Sequence, residues 1–203
     1  MPKRNQNRAY KRGSPHRDAR LFIIVAEGER EDAYFNWFNE RNQRIRIHMV
    51  PREGKASAPK HFLGRLEKFL LETDVQPGSD DSVWFVLDVD RWPRNAIDGL
   101  INACEQASNW QITLSNPCFE VWLHCHHSKP PEGLQTCKDY KSVVNTLFPG
   151  GFRLENACLL IDQAVVNSRD MDTRPLQAFP GKGQTKVYKL AEEMLKMLGQ
   201  NWR

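Results

Sequence analysis

Residues 21–27 form an unbroken apolar run that closes on a carboxylate, Glu27, and then Gly28. Such a run is what a strand buried on both faces requires where it meets a tight turn. The rhythm then changes. Ala33, Tyr34, Trp37 and Phe38 recur on one face of a 3.6-residue period and predict a helix over 30–41. Ile45, Ile47, Met49 and Val50 predict a second strand, and Phe62, Leu63, Leu66, Phe69 and Leu70 a helix over 59–73. After the break at Pro77-Gly78-Ser79, residues 83–87 read as a short apolar strand that runs straight into Asp88-Val89-Asp90. A helix over 95–107 and a strand over 111–114 continue the alternation. At Ser115-Asn116-Pro117 the strand pattern stops, and Asn116 reads as the cap of a helix carrying Phe119, Val121, Trp122 and Leu123. Further helices are expected near 138–147, 155–169 and 184–199. The pattern as a whole predicts an α/β fold: a mainly parallel sheet flanked by helices, with a helical C-terminal extension from about residue 128. Residues 21–203 are expected to form a single domain without internal repeats.

In an open parallel sheet, ligands gather beyond the carboxyl ends of the strands. Glu27, Asp88 and Asp90 all fall at such ends. Asp88 and Asp90 are two residues apart, so in an extended segment they share a side, and Glu31 lies one helical turn beyond Glu27. Four clustered carboxylates raise one another's pKa unless a hard divalent cation neutralises them, which makes Mg2+ or Mn2+ the expected cofactor. Metal ions so held serve phosphodiester hydrolysis by binding a phosphate oxygen and orienting water. Taken one at a time, the same residues read equally as turn caps or solvated acids.

Charge adds a candidate partner. The 203 residues carry a formal net charge of +4, and residues 1–20 hold Lys3, Arg4, Arg8, Lys11, Arg12, Arg17 and Arg20 against the single acid Asp18. This tail buries too little apolar surface to fold alone, and it suits sequence-independent contact with phosphates or simple solvation. On charge alone, contact with nucleic acid and a solvated leader stand as equal readings of the tail. The five cysteines, an odd number at irregular spacing, argue against a disulfide framework. No apolar stretch reaches the length of a membrane span and no signal-peptide pattern opens the chain, so a soluble, cytoplasmic protein without membrane contact is expected.

Three segments resemble, in order, the motifs of the RloB-like proteins, a Toprim-related family. They are Val25-Ala26-Glu27-Gly28-Glu29-Arg30-Glu31-Asp32-Ala33-Tyr34-Phe35, then Phe85-Val86-Leu87-Asp88-Val89-Asp90, then Ser115-Asn116-Pro117-Cys118-Phe119-Glu120-Val121-Trp122-Leu123. Thr185-Lys186-Val187-Tyr188-Lys189-Leu190 is a looser match. The resemblance implies a Toprim-like sheet and a metal-dependent nuclease whose centre uses Glu27, Asp88 and Asp90, with Glu31 toward a second metal. It also implies a role in bacterial anti-phage defence by abortive infection, beside an ABC-type ATPase partner. DNA and RNA both stay open as targets, as does a homo-oligomeric state.

Several residues carry two readings. Glu120 lies in the first turn of a helix if Asn116 is the cap, where it either stabilises the helix end or supports the metal site. Lys186, inside the looser match, is the preferred cation for stabilising a developing oxyanion, with Arg52, Lys55 and Lys182 as phosphate contacts and Arg174 nearby. Each also reads as a solvated basic position. His124, Cys125, His126 and His127 invite zinc, but neighbours on a helix point apart and no Cys-x-x-Cys pair completes a site. Trp37, Trp84, Trp92 and Trp122 could stack on bases, but most of the six tryptophans fall on apolar faces and read as core, Trp92 and Trp110 being less constrained by that pattern, and no P-loop is present. An aspartyl phosphatase would want a small hydroxyl residue soon after its Asp-x-Asp, where Arg91 and Trp92 stand, and a sugar transferase leaves Glu27 to Glu31 unexplained. A binding module with a silent acidic centre is the non-catalytic alternative.

Overall fold

Within the central strands, neighbouring side chains feed opposite faces of one sheet. Phe22, Ile24 and Ala26 enter one apolar core while Leu21, Ile23 and Val25 enter another, and Trp84 and Val86 are likewise separated from Val83, Phe85 and Leu87. Both faces are therefore dry, which is why the strands read as continuous apolar runs rather than as an alternation.

The computed structural model describes residues 19–39, 41–52, 58–148, 150–199 and 202. The basic tail to Asp18 and Lys55 lie outside them. In chain order the elements are β1 (Arg20–Ala26), α1 (Glu29–Asn39), β2 (Ile45–Met49), a 3-10 turn (Pro59–His61) leading into α2 (Phe62–Glu72), β3 (Ser82–Asp88), α3 (Arg94–Gln106) and β4 (Trp110–Asn116). They continue with α4 (Glu120–Cys125), α5 (Cys137–Thr146), α6 (Leu154–Cys158), α7 (Ile161–Met171), β5 (Gln184–Thr185) and α8 (Val187–Leu198). The strand order is β2-β1-β3-β4-β5, with β1 to β4 parallel and β5 antiparallel at the edge. Tyr34, Phe35 and Phe38 of α1, with α4, α7 and α8, cover the first face; Phe62 and Leu66 of α2 and Ile97 and Leu100 of α3 cover the second. The protein is thus an α/β fold with a mainly parallel sheet between two helical layers.

That topology singles out a place. The chain leaves β1 toward β2 on one side and returns to β3 on the other, so the strand order reverses between β1 and β3. A crevice opens beyond the carboxyl ends of strands at such a reversal. Arg65, buried on α2, braces this end: its guanidinium donates to the carbonyls of Ala26 (3.0 Å), Val50 (2.9 Å) and Pro51 (3.2 Å). Hydrogen bonds from a charged donor contribute about 1.5–3 kcal/mol each, so one side chain fixes where β1 and β2 stop.

The structure corrects three local expectations. Asn116 is the last residue of β4, not a helix cap; its side-chain amide donates to the Pro180 carbonyl at 3.2 Å, a cis peptide bond joins it to Pro117, and α4 begins only at Glu120. The single helix expected over 155–169 is two, α6 and α7, separated at Leu159 and Leu160. Residues 184–185 form β5, whose Thr185 pairs with Ser115, and only then does α8 start. The helical C-terminal extension is present as expected, and it packs on the sheet. Ile161, Ala164, Leu190, Ala191 and Met194 lie in the same core as Phe22 and Ile24, so α7 and α8 form part of the helical layer over the sheet. No helix among the described residues is long and apolar enough to cross a membrane.

Candidate functional site

The cleft beyond β1 and β3 is acidic. Glu27 follows the last residue of β1; its backbone N–H donates to the Val86 carbonyl of β3 at 3.2 Å, and its Oε2 accepts from the Asp88 N–H at 3.2 Å. This crosslink places the first carboxylate against the end of the neighbouring strand. Glu31 stands in the first turn of α1, where the helix dipole favours an anion. Asp88 ends β3, and Glu120 opens α4. Glu27, Glu31, Asp88 and Glu120 line one small cleft of about 290 Å³.

Gly28 explains how Glu31 fits. A Cβ at that position would lie 2.6 Å from Glu31 Oε2, inside contact distance, so the turn has room for the carboxylate only because residue 28 lacks a side chain. The glycine is required here by close approach and not by its backbone angles.

Burial raises the pKa of three of these acids. Glu27 is raised chiefly by loss of water, against the lowering effects of the Asp88 N–H, the Trp92 indole and Arg91. Glu31 is pushed up to about 7, by burial first and then by the charges of Glu27 and Glu120. Asp88 is raised well above the usual carboxylate range, again by burial first and then by Glu31, Glu27 and Glu120. The carboxylates therefore feel one another's charge in a site with little water to screen it.

Among the described residues, no three His, Cys, Asp or Glu side chains are disposed to hold a metal ion as they stand. The donor chemistry nonetheless fits a hard divalent cation. All four acids offer oxygen, and Glu27 Oε1 is buried without a hydrogen-bond partner. Mg2+ is commonly bound through one or two carboxylates plus water and substrate phosphate, so a closed protein cage is not required.

Asp90 departs from its expected place. The strand ends at Asp88 and the chain bends at Val89, so the two-residue period that would put Asp88 and Asp90 side by side does not extend to residue 90. Asp90 is exposed at the edge, where its carboxylate accepts a hydrogen bond from the Cys137 thiol at 2.8 Å, while its charge still adds to the raised pKa of Glu27.

The expected cations are placed elsewhere. Lys186 is almost wholly buried, and its Nζ contacts both Asp172 oxygens (2.6 and 2.5 Å) and the Arg174 carbonyl (2.5 Å), which gives it the surroundings of an internal ion pair. Arg52 is engaged by Asp32 at 2.6 Å, and exposed Lys182 donates to Gln135. The cations that do line the cleft are Arg30, Arg91 and Lys141. Arg30 lies inside the first motif but was not among the expected cations. Arg91 and Lys141 come from distant segments and carried no pattern of their own.

His124 and His126 are held by internal hydrogen bonds. Buried His126 bonds the Tyr34 hydroxyl (2.9 Å) and the Trp122 carbonyl (3.0 Å), and burial lowers its pKa to about 3. His124 Nδ1 meets the Ser128 carbonyl at 3.0 Å.

With this geometry in place, comparison with known proteins matches residues 22–194 to the family model described as RloB-like protein. No curated protein and no solved structure matches the chain.

Proposed function

The chain belongs to the RloB-like family, and from that premise we propose that it is a metal-dependent nuclease acting on DNA or RNA in anti-phage defence, with an ABC-type ATPase as partner. The observation that carries this reading is the set of four carboxylates, Glu27, Glu31, Asp88 and Glu120, in one cleft at the reversal point of a parallel sheet. Arg30 and Arg91 reach Glu120 and Glu27, but Glu31 and Asp88 have no ion pair among the described residues, and buried acids left so point to a ligand that relieves their charge.

In this reading Glu27 and Asp88 hold Mg2+ or Mn2+ from the ends of two adjacent strands, with Glu31 and Glu120 completing its surroundings and Asp90 contributing charge from the edge. A cation there supplies neutralisation of a phosphate oxygen and orientation of the attacking water. Arg65 and Gly28 act indirectly: the first fixes the end of β1, and the second leaves space for Glu31. Lys186 has no part in this assignment, because its ammonium is committed to Asp172.

Cleavage of plasmid DNA and total RNA, including transfer RNA, by wild-type and Asp88→Asn protein tests the proposal, with Mg2+, Mn2+ or chelator present. Metal-dependent cleavage that disappears in a folded Asp88→Asn variant is the expected outcome. Absence of cleavage even with the ATPase partner added would overturn it in favour of a binding module whose acidic centre is silent.

A further inference from the structure

We infer that Arg30, Arg91 and Lys141 form a phosphate-gripping rim on the acidic cleft, and that the site recognises the sugar-phosphate backbone of a nucleic acid without reading its bases. The inference rests on the nucleic-acid reading above and specifies how the substrate is held.

The three side chains reach the cleft from separate elements: Arg30 from α1, Arg91 from the segment after β3, and Lys141 from α5. Each touches a carboxylate of the cleft. Arg30 Nη1 lies 2.7 Å from Glu120 Oε1, Lys141 Nζ lies 4.0 Å from the same oxygen, and Arg91 Nη1 lies 3.7 Å from Glu27 Oε1. Only the first is a hydrogen-bond distance, so two of the three cations are held over the cleft by charge while their donors remain available. The side chains are 39%, 61% and 50% exposed, whereas the carboxylates they face are about 5% exposed. Positive charge at the mouth and negative charge at the floor is the layering that a phosphodiester bridged to a floor-bound cation requires. Arg30 is further steadied by the Phe152 ring, 5.9 Å from its guanidinium carbon.

Among the described residues, Arg52 and Lys186, also singled out by sequence, lack this arrangement. Arg52 is closed by Asp32, and Lys186 is sealed with Asp172. The lining of the cleft then separates backbone from base. Phe119, the aromatic side chain among the described residues that line it, is 2% exposed and packed edge-on against Tyr34 at 5.7 Å, so it offers no face for a base to stack on. Single-strand binders that engage bases expose aromatic platforms for that purpose. Here guanidinium forks and an ammonium are offered instead, the groups suited to phosphate.

The test measures binding apart from cleavage. Fluorescence anisotropy of labelled oligo-dT and oligo-dA with full-length protein in Ca2+ is followed from 50 to 200 mM salt, for wild type, Arg91→Gln, and the triple variant Arg30→Gln/Arg91→Gln/Lys141→Gln. Each lost phosphate contact to a single strand lowers the slope of log K on log salt by about 0.7. The triple variant is therefore expected to lose about 2 from the slope, and Arg91→Gln about 0.7, with dT and dA bound alike. Lys196→Gln, on α8, should match wild type. If the triple variant does not fold, Arg91→Gln alone decides. Unchanged slopes, a strong preference for one base, or no binding by wild type would overturn the inference. Rim-dependent binding without any cleavage would support the rim and refute the nuclease, while cleavage with rim-independent binding would do the reverse.

Discussion

Carboxylates are buried at two contrasting places in this fold, which resolves their charge in opposite ways. At Asp172 and Lys186 the side chains are each 1% exposed, and the ammonium meets both carboxylate oxygens and a carbonyl while the Tyr188 hydroxyl donates to Asp172 at 2.7 Å. Burial alone would raise the Asp172 pKa, but the hydrogen bonds from Lys186 and Tyr188 outweigh it and hold the carboxyl below its ordinary value. In the acidic cleft, burial acts on Glu27, Glu31 and Asp88 with no equivalent partner, and all three are raised. The same desolvation thus leaves one acid firmly ionised and three reluctant to ionise. A complete internal match marks a structural pair; an incomplete one marks a place prepared for something from outside.

The largest effect should come from breaking the complete pair. Asp172→Ala leaves Lys186 buried without its counter-charge, and loss of one partner in such a pair costs about 3–5 kcal/mol. Urea denaturation should show this loss, and Asp172→Asn combined with Lys186→Met should recover part of it. A loss below about 1 kcal/mol would class the pair with surface ion pairs and erase the contrast.

Next comes the opposite change in the cleft. Glu31 has a folded pKa of about 7 against an unfolded reference of 4.5, so between these values the folded state binds more protons and stability falls as pH rises. Above pH 7 the ionised carboxylate lowers stability by roughly 3 kcal/mol, because each pH interval of one between the two values corresponds to about 1.36 kcal/mol. Glu31→Gln removes that charge at nearly constant shape. With chelator present, its melting temperature should exceed wild type at pH 8 and match it near pH 4.5. The Asp172 pair has the reverse sign: its contribution is present above the ordinary aspartate pKa and is lost as pH falls through the depressed folded value. Equal melting temperatures for Glu31→Gln and wild type at pH 8 would mean that the cleft is not strained by charge.

The smallest effect is steric. Gly28→Ala puts a methyl group 2.6 Å from Glu31 Oε2 and pushes the carboxylate out of place. Overall stability should change by less than about 1 kcal/mol, while Mn2+ affinity measured by calorimetry falls about tenfold, or ~1.4 kcal/mol. Unaltered affinity would remove Glu31 from the proposed metal site.

What the sequence made legible was whatever repeats along the chain. Strands buried on both faces write themselves as apolar runs, so β1 and β3 were visible, and with them Glu27 and Asp88 at their ends. Asp90 was misplaced because period-two reasoning holds only while the backbone stays extended, and the bend at Val89 ends it. β5, two residues long, is too short to show any period, and its place beside β4 depends on pairing between residues 115 and 185. The partner of Lys186, fourteen residues back, is equally invisible to local pattern. Arg91 and Lys141 were missed for a related reason: each is an ordinary surface cation until the fold brings residues 27, 91, 120 and 141 to one opening.

The helical layer over the first sheet face has a consequence for how this protein comes into being. Ile161, Ala164, Ala191 and Met194 share a core with Phe22 and Ile24, yet emerge from the ribosome well over a hundred residues after them. Contacts so distant along the chain are slow to form, because a long loop must close before they stabilise anything. Until α7 and α8 arrive, a broad apolar surface beneath them stays open to water and to chaperones. The strands that carry Glu27 and Asp88 at their ends thus have one face closed only by helices made well over a hundred residues after β1, so the sheet beneath the cleft is settled late relative to its own synthesis.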